Sequence, residues 1–169
     1  MISLQDKVIL VTGATSGLGE ATAELAAQLG AKVVLAARRQ DRGDEIVARI
    51  AKNGGRAIFV RTDVTVESDI KALIDRTLAE FGRLDGAFNN AGVIGTLAPI
   101  DALSDADHTE VITNNLRSVF LSMKYELRAM KEKKVAGSIV NCSSMSGVNG
   151  FANMGLYTAT KHAICGLTK

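Results

Sequence analysis

The chain has 169 residues, of which 47% are hydrophobic and 22% are charged, and its formal net charge is +2. This length predicts a single domain, residues 1–169, with enough chain to bury a core, and the small charge argues against a nucleic-acid binder. Its short, interrupted apolar runs argue against a membrane protein. Two cysteines and two histidines, none at ligand spacing, predict no metal site and a cytoplasmic protein.

Strand-like and helix-like segments alternate along the chain. Short apolar runs predict five strands, at residues 7–12, 31–37, 56–62, 84–89 and 137–143. Periodic apolar residues predict helices at 20–29, 42–51 and 67–81, a long fourth helix after a capping box at 104–107, and a last helix that begins near Tyr157. We expect the fourth helix to bury one stripe of residues: Ile112, Leu116, Val119, Met123, Leu127 and Met130. The alternation predicts an α/β fold of the Rossmann type, a doubly wound parallel sheet with helices on both faces.

The predicted sheet has one strand fewer than a dinucleotide fold of two halves. Because the last predicted helix reaches Lys169 without a capping signal, we expect the chain to be truncated after the fifth strand and the start of the next helix. The fifth strand would then form an apolar, unpaired edge.

A glycine-rich turn, TGATSGLG, follows the first strand at residues 12–19. Gly13 allows a sharp turn, Gly17 lets the backbone approach a pyrophosphate, and Gly19 permits close packing of helix on strand. The N–H groups at the start of the following helix favour phosphate, so we predict dinucleotide binding rather than a bare turn. The missing Gly-Lys-Ser/Thr argues against a nucleotide-hydrolysing loop. The predicted cofactor contacts are Thr12, Gly13, Thr15, Ser16, Gly17, Leu18 and Gly19.

Later strand ends extend this predicted site. The second strand ends at Ala37, where an NAD enzyme usually carries an acid, and two arginines follow. A neutral residue followed by guanidinium groups suits the 2′-phosphate of NADP, although NAD and a merely solvated arginine pair stay open as alternatives. An acid after the third strand can accept from the adenine amino group, and the turn after the fourth strand lies at the topological switch point. These turns add Arg38, Arg39, Asp63, Val64, Asn90, Ala91 and Gly92 to the predicted contacts.

Four residues form a predicted catalytic set. Tyr157 and Lys161 are four apart, which places phenol and ammonium on one helix face, and a nearby cation favours the phenolate. Such pairs are also common on helix surfaces, so this motif alone leaves both interpretations open. Ser144 ends the fifth strand and can hydrogen-bond a substrate oxygen. Asn115 is a poor choice by helix propensity, and a role in holding a water beside Lys161 is as plausible as none.

Together these motifs resemble the short-chain dehydrogenase/reductase family. The matching segments are TGATSGLG, Asp63-Val64, NNAG, Asn115-Leu116, Ser143-Ser144 and YTATK, in the family's order from residue 6 onward. The resemblance implies that Tyr157 is the general acid/base, that Ser144 positions the carbonyl, and that Lys161 and Asn115 serve a proton relay, with Tyr157 and Lys161 also contacting the cofactor. It further implies a small alcohol or ketone substrate, a homodimer or homotetramer, and C-terminal strands and a substrate lid that are missing here.

Three functions are consistent with the sequence. The first is an NADP-dependent oxidoreductase that interconverts a secondary alcohol and a ketone by hydride transfer. The second is a dinucleotide-binding fragment with little or no turnover. The third is a protein-interaction module whose exposed fifth strand recruits another chain by strand addition.

Overall fold

A computed structural model describes residues 3–169, and the five predicted strands all form. They are β1 (Val8–Thr12), β2 (Lys32–Ala37), β3 (Arg56–Arg61), β4 (Gly86–Asn89) and β5 (Ser138–Asn141). All pairings are parallel, in the order β3-β2-β1-β4-β5. The direction of winding therefore reverses between β1 and β4, and the predicted Rossmann-type sheet is confirmed.

Six helices follow or separate these strands within the described residues. They are α1 (Gly17–Gln28), α2 (Gln40–Lys52), α3 (Glu67–Phe81), α4 (Asp105–Ile112), α5 (Ser118–Glu132) and α6 (Gly155–Thr168). The predicted capping box is confirmed, since Ser104 Oγ accepts from the Asp107 amide at 3.2 Å and the Asp107 carboxylate accepts from the Ser104 amide at 2.9 Å. Among residues 3–169, no helix combines the length and apolarity needed to cross a membrane.

Helices cover both faces of the sheet because alternate strand residues point in opposite directions. On one face, Val33 and Leu35 of β2 pack with residues of α1 and α2 such as Ala23 and Ile46. On the other face, Leu10, Val34 and Ala87 pack with residues of α3 and α5, including Leu73 and Met130. The carboxyl ends of β1 and β4 lie between these layers, and the candidate site is built there.

The long fourth helix differs from its prediction. A π-helical turn, Thr113–Arg117, joins α4 to α5 in one continuous helix. Val119 and Met130 are buried as expected, but Leu127 is 42% exposed and the other three predicted stripe residues, Ile112, Leu116 and Met123, are only half-buried. The residues that are buried instead include four polar ones: Asn115, Ser118, Ser122 and Glu126. The π turn holds one residue more than an α turn and so shifts the buried face, which an apolar periodicity does not predict.

Candidate active site

The glycine-rich turn between β1 and α1 has the geometry that its sequence predicts. Gly13 has a φ of +64°, and a Cβ there would lie 3.0 Å from Ala91 Cα, so the β1 and β4 turns are in close contact. A Cβ on Gly19 would meet the Gly13 carbonyl oxygen, which explains why this position in α1 lacks a side chain. In the part of the chain described, no side chain caps α1, so its first N–H groups are available to an anion.

The ends of β1 and β4 are joined by hydrogen bonds across the switch point. Thr12 Oγ1 accepts from the amides of Asn90 and Ala91 at 3.0 and 3.2 Å. In return, Asn90 Nδ2 donates to the Thr12 carbonyl oxygen at 3.1 Å. Thr12, one of the predicted cofactor contacts, has a buried side chain that bonds to the β4 turn. These bonds fix the turn that carries Asn90, Ala91 and Gly92.

A cleft of about 430 Å³ opens at this edge of the sheet. Eleven of the predicted cofactor residues line it: Gly13, Thr15, Ser16, Leu18, Arg38, Arg39, Asp63, Val64, Asn90, Ala91 and Gly92. Five further residues that the sequence did not single out as contacts also line it: Ala36, Ala37, Thr62, Val93 and Asn114. Four of these five are next to a predicted site residue, so extending each motif by one position would have found Ala37, Thr62, Val93 and Asn114. The remaining predicted contacts, Thr12, Gly17, Gly19, Tyr157 and Lys161, do not line the cleft.

The two arginines after β2 have different environments. Arg39 bends back over the glycine-rich turn, where Nη2 donates to the carbonyl oxygen of Thr15 at 2.9 Å and to its Oγ1 at 3.1 Å. Arg38 lines the cleft and lies close enough to Asp63 to affect it electrostatically. Hydrogen bonds from the amide and hydroxyl of Thr65, together with the charges of Arg38 and Arg61, lower the pKa of Asp63 despite its partial burial. Asp63 is therefore an ionised hydrogen-bond acceptor at the cleft wall.

Lys161 is the most buried cation of the site, with 5% of its surface exposed. Its Nζ donates to the Cys142 carbonyl oxygen at 2.7 Å and lies 5.5 Å from the centroid of the Tyr157 ring. Burial lowers the pKa of Lys161 below its usual range, with a smaller opposing effect from Cys142. The predicted proximity of ammonium and phenol thus exists, and it is anchored by a main-chain oxygen after β5.

Ser144 lies between β5 and α6, at the start of the short 3₁₀ turn Met145–Gly147. Its Oγ accepts from the Ser146 amide at 3.1 Å, which orients the side chain and leaves its hydroxyl hydrogen to donate elsewhere. The neighbouring Ser143 has a structural contact, since its Oγ donates to the Lys161 carbonyl oxygen at 3.1 Å. The two serines therefore fix the 3₁₀ turn and α6 to the end of β5.

Asn115 lies in the π turn and is fully buried. Its Oδ1 accepts from the Val93 amide and its Nδ2 donates to the Val93 carbonyl oxygen, both at 2.8 Å. Nδ2 also lies 3.3 Å from Thr160 Oγ1 in α6. A Cβ on Gly92 would lie 3.0 Å from Asn115 Oδ1 and 3.9 Å from Lys161 Nζ. Asn115 therefore brings the cleft wall at Gly92 next to the helix that carries the Tyr–Lys pair.

The sequence of the chain matches a known family. The family model described as "short chain dehydrogenase" matches residues 7–169. A relative named 3beta-hydroxysteroid dehydrogenase, from Mediterraneibacter gnavus, is 42% identical over 164 residues, which cover 97% of this chain and 59% of that protein.

Two solved structures extend the comparison to the fold. One is a short-chain dehydrogenase/reductase from Burkholderia phymatum in complex with NAD, with a TM-score of 0.94 and 35% identity over 99% of this chain and 59% of that one. The other is a variant of actinorhodin polyketide ketoreductase with NADPH, with a TM-score of 0.91 and 33% identity over 99% of this chain and 64% of that one. The chain thus spans about three fifths of the length of these relatives. With the family model matched over nearly all of its residues, this chain belongs to the short-chain dehydrogenase family.

Proposed function

We propose that the protein is an NADP(H)-dependent oxidoreductase that interconverts a secondary alcohol and a ketone. The observation that carries this proposal is the position of Lys161 Nζ, 5.5 Å from the Tyr157 ring centroid and beside the cleft wall at Gly92. A phenol next to a buried ammonium is suited to proton exchange with a substrate oxygen. The relatives' names, a hydroxysteroid dehydrogenase and a polyketide ketoreductase, support the same reaction class.

The residues fit a bound dinucleotide because the cleft extends from the uncapped N-terminus of α1 to Gly92, where a Cβ would lie 3.9 Å from Lys161 Nζ. When bound, the nicotinamide supplies or accepts the hydride. Tyr157 then donates a proton to the ketone oxygen, or removes it from the alcohol, and Lys161 stabilises the phenolate. Ser144 donates its free hydroxyl hydrogen to the same substrate oxygen.

Asn115 has a positioning role in this proposal. Both polar atoms of its side chain are engaged with the Val93 main chain, and its amide also faces Thr160. It therefore holds the β4 turn against α6, and so fixes the position of Tyr157 and Lys161 relative to the cofactor cleft. This differs from the water-holding role considered from the sequence.

Arg38 supports the preference for NADP over NAD. Arg39 is already bonded to Thr15, whereas Arg38 lines the cleft beside Ala37, where no acid repels a 2′-phosphate. We therefore assign the phosphate contact to Arg38 and a turn-bracing role to Arg39.

Dinucleotide binding by the 169-residue chain tests this assignment. Titrations of NADPH and NADH, followed by nicotinamide fluorescence, should show tighter binding of NADPH in the wild type. Arg38→Ala should weaken NADPH by about tenfold or more and leave NADH nearly unchanged, because a charge-assisted contact contributes about 1.5–3 kcal/mol. Ala37→Asp should reverse the preference. Equal effects on both nucleotides would contradict the NADP assignment.

Turnover is tested separately, with a panel of alicyclic ketones and alcohols and absorbance of NADPH as the readout. Ketone reduction that disappears in Tyr157→Phe would support the proposal. Tight nucleotide binding with no turnover on the whole panel would instead favour a binding protein without catalysis.

A further inference from the structure

A buried carboxyl group outside the cleft has no role in the chemistry proposed above. Glu126 of α5 is fully buried, and it accepts a hydrogen bond from Asn89, the last residue of β4. Asn89 Nδ2 donates to Glu126 Oε2 at 3.0 Å and to Asn141 Oδ1, also at 3.0 Å. These three side chains connect α5 to both strands at the edge of the sheet where the candidate site lies.

Two oxygens of this cluster are left without a hydrogen-bond partner among residues 3–169: Asn89 Oδ1 and Glu126 Oε1. They belong to two side chains that are already bonded to each other through their other atoms. An ionised carboxylate and a carboxamide oxygen are both acceptors, so neither can satisfy the other. A proton on Glu126 Oε1 would turn it into a donor and give both buried oxygens a partner at once.

The electrostatic environment agrees with a protonated side chain. Burial raises the pKa of Glu126 to about 7, and the hydrogen bond from Asn89 opposes this only in part. Its hydrogen-bond partner from β4 is the uncharged carboxamide of Asn89, which in turn bonds to the carboxamide of Asn141 in β5. No charged group between residues 3 and 169 acts measurably on the Glu126 carboxyl, and Lys124, two residues earlier in α5, pairs with Glu67.

We propose that Glu126 is a neutral carboxylic acid in the folded protein, that it donates to Asn89 Oδ1, and that this acid–amide pair is a positioning unit for the strand ends that support the candidate site. Two further hydrogen bonds connect the pair to that site. The Asn89 carbonyl oxygen accepts from the Cys142 amide at 2.9 Å, and the Cys142 carbonyl oxygen accepts from Lys161 Nζ.

Ionisation of Glu126 has a direct consequence for this arrangement. A carboxylate would place an uncompensated charge in a dry environment and repel Asn89 Oδ1. Asn89 would then have to shift or admit water, and the Cys142 peptide that holds Lys161 would move with it. Nucleotide affinity should therefore decline as the pH rises through the range in which Glu126 loses its proton. This expectation rests on the proposed function, because it requires the chain to bind a nucleotide.

The protonation of Glu126 is tested by carboxyl ¹³C NMR of the chain labelled at glutamate. The signal absent from Glu126→Gln is that of Glu126, and it should titrate with a midpoint near pH 7, as its pKa requires. A glutamate side chain in a model peptide titrates near ~4.3. A Glu126 midpoint at that value would overturn the proposal.

The positioning role is tested by nucleotide binding at two pH values. Glutamine mimics the neutral acid, because its amide nitrogen can donate to Asn89 Oδ1 while its oxygen accepts from Nδ2. We expect the NADPH affinity of the wild type to fall several-fold from about pH 6 to about pH 8.5. The NADPH affinity of Glu126→Gln should fall less over this interval than that of the control variant Glu132→Gln. Identical pH profiles in the two variants would refute positioning, even with the NMR midpoint near 7. Absence of binding at every pH would contradict the proposed function and leave the NMR test of the acid–amide pair unaffected.

Discussion

Replacement of Asn115 by alanine should destabilise the protein far more than the same replacement one residue earlier. Asn115 is fully buried and makes two hydrogen bonds of 2.8 Å to the Val93 main chain and one of 3.3 Å to Thr160. Asn114 lies in the same π turn, but its side chain makes an exposed hydrogen bond to the Glu110 carbonyl oxygen. The pair of variants therefore compares a buried clamp with a surface contact in one helical environment.

The expected magnitude follows from the groups that lose their partners. Asn115→Ala leaves the N–H and C=O of the half-buried Val93 without their side-chain partner, at about 1–3 kcal/mol for each such group that water does not reach. Alanine's better helix propensity, worth up to about 0.7 kcal/mol, returns part of this loss and does so equally in Asn114→Ala. We expect Asn115→Ala to lower the free energy of unfolding by about 2–4 kcal/mol more than Asn114→Ala.

Urea denaturation followed by circular dichroism measures both values on the 169-residue chain. Two unfolding free energies within about 0.5 kcal/mol of each other would refute the clamp, because that is the usual scatter of such comparisons. If Asn115 instead acts only by holding a water beside Lys161, Asn115→Ala would leave stability unchanged and reduce turnover alone. The two roles are thus separated by one equilibrium measurement.

Three other substitutions, one of them with a matched control, test separate parts of the structure. Tyr157→Phe should reduce turnover by about 10²-fold or more with unchanged nucleotide affinity, as measured by steady-state kinetics and fluorescence titration; normal turnover would exclude proton transfer by the phenol. Gly13→Ala should weaken NADPH binding, and it should lower the unfolding free energy by about 1–2 kcal/mol of backbone strain plus the cost of a clash with Ala91. Gly54→Ala, at a φ of +79° in open space, is the control and should show the strain alone in urea denaturation. Asp85→Asn tests acid stability. Burial raises the pKa of Asp85, but the hydrogen bonds from Arg83 and the Val8 amide lower it by more, so the pKa lies below its usual range. The ionised Asp85 therefore stabilises the fold above pH ~4, and this stabilisation is lost as the pH falls through the folded-state pKa. The variant should lose less unfolding free energy on acidification than the wild type. Parallel curves of unfolding free energy against pH would contradict this.

The sheet and the cofactor turn could be predicted from sequence because their signals are local. Each strand is a short apolar run that ends in a turn, and Gly13 and Gly19 occupy positions where a side chain would meet neighbouring backbone. The predicted helix 67–81 coincides with α3, since Gly82 closes it in the left-handed conformation.

Long-range contacts set the limits of prediction at the site. Arg38 and Arg39 are chemically identical in sequence, and only the fold shows that Thr15 binds one of them. The motif around Tyr157 and Lys161 predicts their proximity but gives no indication that Lys161 is anchored by the Cys142 main chain.

The failure in the long fourth helix has a different cause. Its buried face carries Asn115 and Glu126, whose partners lie on Val93 and Asn89, in elements distant along the chain. The apolar period alone therefore assigned the buried stripe to half-exposed residues such as Leu127. Polar residues with buried partners look like surface residues in a sequence, so the period did not include them. The π turn that shifts the face has no compositional signal that could have corrected this.

The acceptor that holds Lys161 is a peptide oxygen, and this has a consequence for how the site tolerates mutation. Every amino acid presents the same carbonyl at position 142, so a change of the cysteine side chain does not remove the lysine's anchor. Random mutagenesis would therefore yield functional replacements at position 142 while position 161 stays restricted to lysine. By the same reasoning, chemical modification of the Cys142 thiol should leave the Lys161 anchor in place, whereas substitution of Lys161 removes the ammonium itself.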